Sequence, residues 1–265
     1  DGLYQGEGTA YYPDGTRAYA GSFAAGAYEG EGTEYTQDGQ VRYKGSFVQG
    51  LYDGSGTIYL ENGSQIQAEF TAGASNGAVQ WYQRGKLWYD GSADNLTPDG
   101  FGTLYDQSGK VVYAGEFDQG TLDGAWLLSL TAGELREAFG QADLTEEDGA
   151  EGFLVKNETL GLTALCSYQQ EGAQAQAYRL WFAPEEGSLW QQLLPWESGA
   201  QAAAWARRGR EEAPEESTLQ GAILQPDGTV AGDWYQRQYV YGDCVCLMLS
   251  QNGADAPLQL CWSRD

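Results

Sequence analysis

The sequence predicts a mainly β protein, in which an array of stacked antiparallel β-hairpins precedes an α+β domain with an internal duplication. Glycine recurs every 23 or 24 residues through the first half, at Gly6, Gly30, Gly54, Gly77, Gly100 and Gly124. Asp-Gly pairs such as Asp14-Gly15 and Asp38-Gly39 follow these glycines, and such pairs favour hairpin turns because the turn needs positive φ. A fixed period of this length indicates stacked supersecondary units that share one core.

The composition agrees with short strands and tight turns. Of 265 residues, 38 are glycine and 18 are tyrosine, and 42% are hydrophobic. This mixture is typical of half-buried strands joined by turns, and it disfavours long helices.

Aromatic residues keep the same period as the glycines. The first strand of each unit carries an aromatic residue at Tyr11, Tyr35, Tyr59, Trp81 and Tyr105. The second strand carries Phe23, Phe47, Phe70 and Phe117, with Ala93 in one unit. Because side chains alternate along a strand, we predict an aromatic face and a polar face, with the rings as the core of the array.

One unit reads Tyr28-Glu29-Gly30-Glu31-Gly32-Thr33, then Asp38-Gly39, then Tyr43-Lys44-Gly45-Ser46-Phe47. This pattern resembles the MORN repeat (membrane occupation and recognition nexus). About five copies and a half copy extend over residues 1–133, and the pattern is strongest in the first three. The fourth copy departs from it, with Ala74, Asn76 and Ala78 in place of the tyrosine, the acidic residue and the second glycine.

The resemblance implies a twisted, elongated antiparallel sheet that serves as a scaffold or a protein-binding surface. Some such repeats have been proposed to bind phospholipids, and others lie beside catalytic domains in phosphatidylinositol phosphate kinases and a histone methyltransferase. This chain lacks the nucleotide and cofactor motifs of those domains, so we expect no cofactor. Its net charge of −24 opposes binding to anionic lipid headgroups.

The second half begins where the short period ends. Glu134 to Phe139 is compatible with a helix that Gly140 ends, and strands are predicted near 153–155, 160–168 and 175–182. A longer repeat of 81 residues relates Gly140 to Gly221, Phe153 to Trp234, Gly161 to Gly242, Gly172 to Gly253 and Trp181 to Trp262. We therefore predict domains at 1–133 and 134–265, the second with copies at about 134–187 and 188–265.

The four cysteines do not form a CxxC pair, so no metal site is predicted. If residues 251–253 turn a hairpin, Cys244 and Cys261 fall opposite each other, and we hypothesise a disulfide between them. The alternative is that Cys166 and the other cysteines are small buried apolar residues.

Charge and the lack of histidine restrict the possible functions. A strongly acidic chain is repelled by nucleic acid, and without histidine it lacks the usual general base and the commonest metal ligand. We therefore predict that the protein is not an enzyme. Paired carboxylates at Glu29/Glu31 and Glu146/Glu147 leave a carboxylate-dependent hydrolase as a third possibility.

The first functional hypothesis is a non-catalytic scaffold or protein-binding protein of the bacterial envelope or a secreted protein. Its expected contact surface is the exposed flank of the array, with Tyr28, Tyr35, Tyr52 and Tyr59. The alternative is recognition of carbohydrate or cell wall by the tryptophan-rich second domain, through Trp190 and Trp196. The chain opens within a repeat, and an extracytoplasmic or membrane-anchored location is favoured if a signal or anchor was removed.

Overall fold

The computed structural model describes residues 2–118, 120–140, 144–148, 152–167, 174–182, 216–219, 223–224, 230–231, 234–241, 244–250 and 259–264. The chain divides into two compact units, Asp1–Lys110 with Phe117–Gly120 and Val111–Glu116 with Thr121–Asp265. The predicted boundary at residue 133, where the short period ends, stays a prediction.

The predicted array is confirmed as an N-terminal sheet of ten antiparallel strands joined as hairpins. The strands are β1 (Gly6–Tyr11), β2 (Arg17–Ala24), β3 (Ala27–Tyr35), β4 (Val41–Val48), β5 (Leu51–Tyr59), β6 (Gln65–Phe70), β7 (Asn76–Gln83), β8 (Lys86–Asp94), β9 (Thr97–Tyr105) and β10 (Val111–Asp118). They lie in chain order, and the short strand β11 (Thr121–Leu122) continues that order.

Two kinds of connection alternate along the array. Longer loops such as 12–16 are closed by a hydrogen bond from the Tyr12 amide to the Thr16 carbonyl, 2.8 Å. Two-residue turns such as Ala25-Gly26 have positive φ at both positions, 49° and 84°, which suits the twist of a hairpin. Glycine occupies the second position of most of these turns, but Leu96 takes it between β8 and β9 with φ 69°.

Tyrosines packed on glycines form the core of the array. A fully buried tyrosine lies on each of four strands, at Tyr19, Tyr43, Tyr89 and Tyr113. Each phenol hydroxyl donates to the backbone carbonyl three residues ahead, at Ser22, Ser46, Ser92 and Glu116. A Cβ atom at Gly32 would overlap the Tyr19 ring, and one at Gly56 would overlap the Tyr43 ring. These glycines therefore allow the close approach of a ring to the neighbouring strand.

The junction between the third and fourth repeats replaces this arrangement. Ile66 takes the place of the buried tyrosine, and Ala68 pairs with Val79 where the other repeats pair two glycines. All three side chains are buried, at 3%, 9% and 1% exposure. The alignment of Ala78 with the second glycine is wrong, because the strand pairing puts Val79 at that position.

The assignment of Gly124 to a first strand is also wrong. Gly124 is the first residue of helix α1 (Gly124–Ser129), and it lacks the positive φ of the strand glycines. The Asp123 carboxylate accepts hydrogen bonds from the amides of Ala125 and Trp126, 2.9 and 3.0 Å, and so caps the helix. The cap directs this segment into a helix although the glycine spacing continues.

The helix predicted at Glu134 to Phe139 is confirmed as α2, with bounds Ala132–Ala138. Thr131 and Glu134 form a capping box at its start, and Gly140 follows its end with φ 66°. The acidic segment that follows forms strand β12 (Leu144–Asp148), which pairs with the next strand.

The second unit holds an eight-stranded antiparallel sheet. Its strands are β12, β13 (Gly152–Asn157), β14 (Leu162–Ser167), β15 (Ala177–Phe182), β16 (Glu216–Leu219), β19 (Trp234–Tyr241), β20 (Cys244–Ser250) and β21 (Gln259–Arg264), and β17 (Ile223–Leu224) and β18 (Val230–Ala231) pair separately. The order is β12-β13-β14-β15-β21-β20-β19-β16. Strands β19, β20 and β21 each begin 82 residues after β13, β14 and β15. The duplication itself stays a prediction.

The register of β20 and β21 differs from the expected hairpin. Cys244 pairs with Arg264, and Cys261 pairs with Leu247. The two cysteines are therefore three strand positions apart, about 10 Å along the strands. A disulfide needs Cα atoms closer than about 7 Å, so this register does not support the hypothesised bond.

A buried asparagine connects three segments of the second unit. The Asn157 amide donates to the carbonyls of Val112 and Phe139, 3.0 and 2.9 Å, and its oxygen accepts from the Leu160 amide, 3.0 Å. Asn157 is fully buried, so these bonds satisfy polar groups that water cannot reach. In the described part of the chain, no helix has the length and apolar character needed to span a bilayer.

Candidate interaction surface of the repeat array

The acidic residues of the repeat pattern hold the array together. The Glu29 carboxylate accepts from the Gln49 amide, and the Asp53 carboxylate accepts from the Ala72 amide, both at 3.0 Å. Each bond joins the start of one hairpin to the turn that follows the next strand. Glu31 instead accepts from the Ser46 hydroxyl on β4. The Glu29/Glu31 pair thus has structural partners.

Glu146 is also unsuited to acid catalysis. Its carboxylate forms an ion pair with Arg136, and this hydrogen bond lowers the pKa of Glu146. A glycosidase acid needs a raised pKa so that it keeps its proton at neutral pH. The geometry gives the hydrolase hypothesis no support at Glu146.

A continuous row of mostly polar residues crosses the other face of the sheet. Its members pair directly across neighbouring strands and therefore share one face. They are Thr9, Ala20, Thr33, Lys44, Thr57, Gln67, Gln80, Asp90 and Thr103. Ala20 follows the buried Tyr19 and Lys44 follows the buried Tyr43, so this row lies opposite the aromatic core. We call it the polar row.

A groove of about 710 Å³ lies over the centre of the polar row. Its charged lining consists of Glu31, Lys44, Glu69 and Asp90, and its aromatic lining is Tyr59. A second depression of about 590 Å³ shares Glu31 and Lys44 and extends to Glu7. We call these two depressions together the polar-face groove. Four carboxylates and one ammonium group line it, so its potential is negative.

Hydrogen bonds orient the groove carboxylates. The Ser22 hydroxyl donates to Glu7 at 2.5 Å, and the Ser55 hydroxyl donates to Glu69. The Gln80 amide donates to Asp90 at 3.2 Å. Such neutral donors hold the carboxylates in place without neutralising their charge.

Two of the four predicted contact tyrosines belong to the aromatic face. Tyr28 stacks on Tyr19 and Tyr52 stacks on Tyr43, each with ring centroids 3.7 Å apart. Burial raises the pKa of Tyr28, and the pKa of Tyr52 rises through burial and through its hydrogen bond to Glu34. Both rings are half-buried, and they cover the core tyrosines.

The other two predicted tyrosines have different surroundings. Tyr59 lines the polar-face groove, whereas Tyr35 has the Arg17 guanidinium 5.4 Å from its ring centroid. The structure therefore does not gather the four tyrosines into one exposed flank. Their role in binding stays a prediction. Trp190 and Trp196 lie outside the described residues.

The predicted structural glycines of the first strands have a clear backbone role. Positive φ is found at Gly6, Gly30, Gly54 and Gly100, with values of 80°, 66°, 85° and 84°. Other residue types rarely adopt this conformation, so glycine is the residue that fits.

Sequence reasoning followed the aromatic positions and missed the polar row. The signal was present, because Lys44 follows Tyr43 and Asp90 follows Tyr89, and adjacent strand residues point to opposite faces. What alternation does not reveal is the groove, which also depends on how Glu31 and Glu69 are oriented from neighbouring strands.

These features define a β-hairpin repeat protein whose repeats are a binding rather than a catalytic module. Residues 1–17, 19–41 and 43–65 match the MORN repeat family, so residues 1–65 carry three MORN repeats. The match ends just before Ile66, where the tyrosine of the earlier repeats is replaced. No curated protein matches this chain.

Proposed function

We propose that this protein is a non-catalytic scaffold that binds a protein partner through the polar-face groove. The observation that carries the proposal is the difference between the two faces of the sheet. On the aromatic face the rings pack on one another, since Tyr19 and Tyr43 are fully buried beneath Tyr28 and Tyr52. The opposite face keeps an open groove with charged side chains.

The charge of the groove defines the chemistry of the partner. Residues 1–118 contain 16 acidic and 6 basic residues, and four of the carboxylates line the groove. A basic segment of a partner protein fits this potential, and nucleic acid does not. Tyr59 adds an aromatic contact of low entropic cost to the lining of the groove.

The test compares two variants of equal charge. Glu69→Gln with Asp90→Asn removes two groove carboxylates but keeps oxygen acceptors for Ser55 and Gln80. Glu61→Gln with Asp94→Asn removes two exposed carboxylates that do not line the groove. Each full-length variant serves as bait in an extract of the source organism, with quantitative mass spectrometry as the readout.

A partner that the unchanged chain and the control variant retain, and that the groove variant loses, supports the proposal. Titration of that purified partner is then expected to show about a tenfold weaker Kd for the groove variant, with the difference shrinking at high salt. Equal capture by both variants would exclude the groove as the binding surface. The envelope or secreted setting belongs to the same proposal, and cell fractionation with an antibody tests it.

A further inference from the structure

The polar-face groove has two walls, and each wall is a row of side chains that crosses the strands. One wall is the polar row. The other wall lies two residues away from the polar row on each of the strands β1 to β8. Its members are Glu7, Ser22, Glu31, Ser46, Ser55, Glu69, Ala78 and Ser92. We call it the serine–glutamate row. Because alternate residues of a strand point to the same side, both walls rise from the polar face.

Main-chain atoms form the floor between the two walls. The residues of the lining that lie between the rows are Gly8, Gly21, Gly32, Gly45, Gly56 and Ala68. A Cβ atom at Gly32 or Gly56 would point into a tyrosine ring of the aromatic face, so no side chain rises from these positions on the polar face. The rows are two strand residues apart, about 7 Å between Cα atoms. An α-helix is about 10–12 Å across, so an extended segment fits between the walls and a helix does not.

The groove crosses the strands, so a segment that lies along it cannot pair with them as an added strand. The backbone of such a segment needs a conformation without hydrogen bonds to a neighbouring strand. Polyproline II is such a conformation, because its peptide groups are solvated. It has three residues per turn and rises about 3.1 Å per residue, so residues three positions apart point the same way and lie about 9 Å apart.

Two carboxylates of the serine–glutamate row have the same spacing. Glu7 lies on β1 and Glu31 lies on β3, two strands apart, which is about 10 Å. The Ser22 hydroxyl donates to Oε1 of Glu7, and the Ser46 hydroxyl donates to Oε1 of Glu31. In the described part of the chain, neither Oε2 atom accepts a hydrogen bond. Each carboxylate is therefore oriented by a serine and can still accept from a ligand.

We infer that the polar-face groove binds a polyproline II segment of a partner protein in which two basic residues lie three positions apart, one against Glu7 and the other against Glu31. This inference rests on the proposed function and adds to it the conformation and the register of the partner segment. Charge complementarity selects the basic residues. The match between one turn of the segment and one pair of strands selects their spacing.

The third repeat interrupts this spacing. Ser55 stands where the next carboxylate of the row would be, and its hydroxyl donates to Glu69 on the following strand. Lys44, in the opposite wall, lies one strand beyond Glu31. A third basic residue at the same interval would meet a hydroxyl group and the field of an ammonium group. We therefore expect an uncharged residue at that position of the segment.

The first experiment titrates the full chain with two labelled peptides of equal composition and charge. One has the core Arg-Pro-Pro-Arg, which places the arginines one turn apart, and the other has the core Pro-Arg-Arg-Pro. We expect the first peptide to bind about fivefold more tightly at low salt, because its arginines reach both carboxylates at once. Fluorescence anisotropy measures the two affinities. Nuclear magnetic resonance of the isotope-labelled peptide reports its bound conformation.

Single substitutions in the protein locate the register. Glu7→Gln and Glu31→Gln keep an oxygen acceptor for Ser22 and Ser46, and each is expected to remove the preference between the two peptides. Glu61→Gln is the control of equal charge, since Glu61 is exposed and does not line the groove. It is expected to keep the preference. Circular dichroism and thermal unfolding verify that each variant folds.

A double substitution tests the spacing at constant net charge. Ser55→Glu with Glu69→Ser gives the third repeat the arrangement of Glu31 and Ser46, and it moves one carboxylate by one strand, about 5 Å. A peptide with the core Arg-Pro-Pro-Arg-Pro-Pro-Arg is expected to bind this variant about threefold more tightly than the unchanged chain. The Arg-Pro-Pro-Arg peptide is expected to bind both proteins equally.

The outcomes separate this inference from the proposed function. Equal binding of the two first peptides, both weakened by Glu69→Gln with Asp90→Asn, would overturn the register and leave a basic partner segment in place. A peptide that binds as a helix would overturn the conformation. If neither peptide binds saturably at about 1 mM, the inference fails, whereas the proposed function fails only if the groove variant captures the same partners as its control.

Discussion

Two junctions between neighbouring repeats of the array solve one packing problem in opposite ways. Between the second and third repeats, the large Tyr43 ring lies over two glycines, Gly45 and Gly56. Between the third and fourth repeats, the smaller Ile66 lies beside Ala68 and Val79, which pair where those glycines would be. The side-chain volume that is lost when isoleucine replaces tyrosine is restored by the side chains of Ala68 and Val79. Both arrangements bury their side chains.

The comparison shows that the glycines of the repeat are of two kinds. Gly30 and Gly54 are needed for their positive φ. Gly32 and Gly56 have ordinary backbone angles and are needed because a ring occupies the space of their side chains. The second kind is replaceable when the ring is replaced, and the junction between the third and fourth repeats is the natural example.

The largest expected effect comes from filling the space beneath the ring. Gly56→Val places a side chain where the Tyr43 phenol lies, and we expect it to lower the free energy of unfolding by about 3 kcal/mol. Urea denaturation measures the loss. Adding Tyr43→Ile and Gly45→Ala copies the junction between the third and fourth repeats and is expected to recover about 2 kcal/mol of it.

The matched control for this prediction is Gly8→Val. Gly8 holds the same repeat position but lies under no phenol, so the expected loss is about 1 kcal/mol or less. If Gly8→Val and Gly56→Val destabilise equally, the ring is not the reason for the glycine. Failure of the triple variant to recover stability would show that the two solutions are not interchangeable.

A smaller effect separates the hydroxyl of the ring from its bulk. Tyr43→Phe keeps the ring over the glycines but removes the donor to the Ser46 carbonyl, a bond of 3.1 Å. Because Tyr43 is fully buried, we expect a loss of about 1.5 kcal/mol in the same denaturation assay. Tyr11→Phe, on an exposed tyrosine, is expected to change little. A loss confined to Tyr11→Phe would contradict this account.

The two-residue turns offer a stabilising change. Leu96 adopts φ 69°, a conformation that costs most side chains about 1 kcal/mol, whereas the equivalent position in the β4–β5 turn is Gly50. Leu96→Gly is therefore expected to stabilise the protein by about 1 kcal/mol, and Gly50→Leu to destabilise it by a similar amount. Thermal unfolding checks both, and a lower Tm for Leu96→Gly would mean that the lost Leu96 contacts outweigh the relief of strain.

The smallest expected effect concerns pH. Hydrogen bonds from Gln37 and from the Thr16 amide lower the pKa of Asp14 below its ordinary value of 3.8. Its contribution to stability is therefore present above about pH 4 and lost as the pH falls through the lowered pKa. In the third repeat, Asn62 accepts the Ser64 amide at 2.9 Å without titrating.

Asp14→Asn copies the uncharged turn and tests that difference. We expect the variant to lose less stability than the unchanged chain between pH 5 and pH 2.5, measured as Tm at both values. An identical pH dependence would show that the Asp14 carboxylate contributes nothing measurable.

Most of the array was predictable because its glycines and aromatic residues recur with the period of the repeat. The limits appear where another interaction overrides the spacing. Gly124 keeps the spacing, but the Asp123 cap begins a helix there. Likewise, no strand was predicted from the sequence at 144–148, but Arg136 pairs with Glu146 and β13 pairs with the backbone of this segment.

The candidate site was less predictable than the fold. Alternation indicated two faces but not which tyrosines the core would use, and Tyr28 and Tyr52 stack on ring partners that lie nine residues earlier in the chain. The register of β20 and β21 could not be predicted from the sequence either. The position of the turn between the two strands determines the register, and glycine alone does not locate that turn.

The turn glycines have one further consequence. The amides of Gly26, Gly50 and Gly73 donate to the carbonyls of Tyr4, Tyr28 and Tyr52, over distances of 2.8 to 3.0 Å. Turn amides normally exchange their hydrogens quickly with solvent, but each of these is held by the preceding hairpin. An opening that starts in one turn must therefore loosen its neighbour, so that slow exchange at these three amides would measure how far a local disturbance travels along the array.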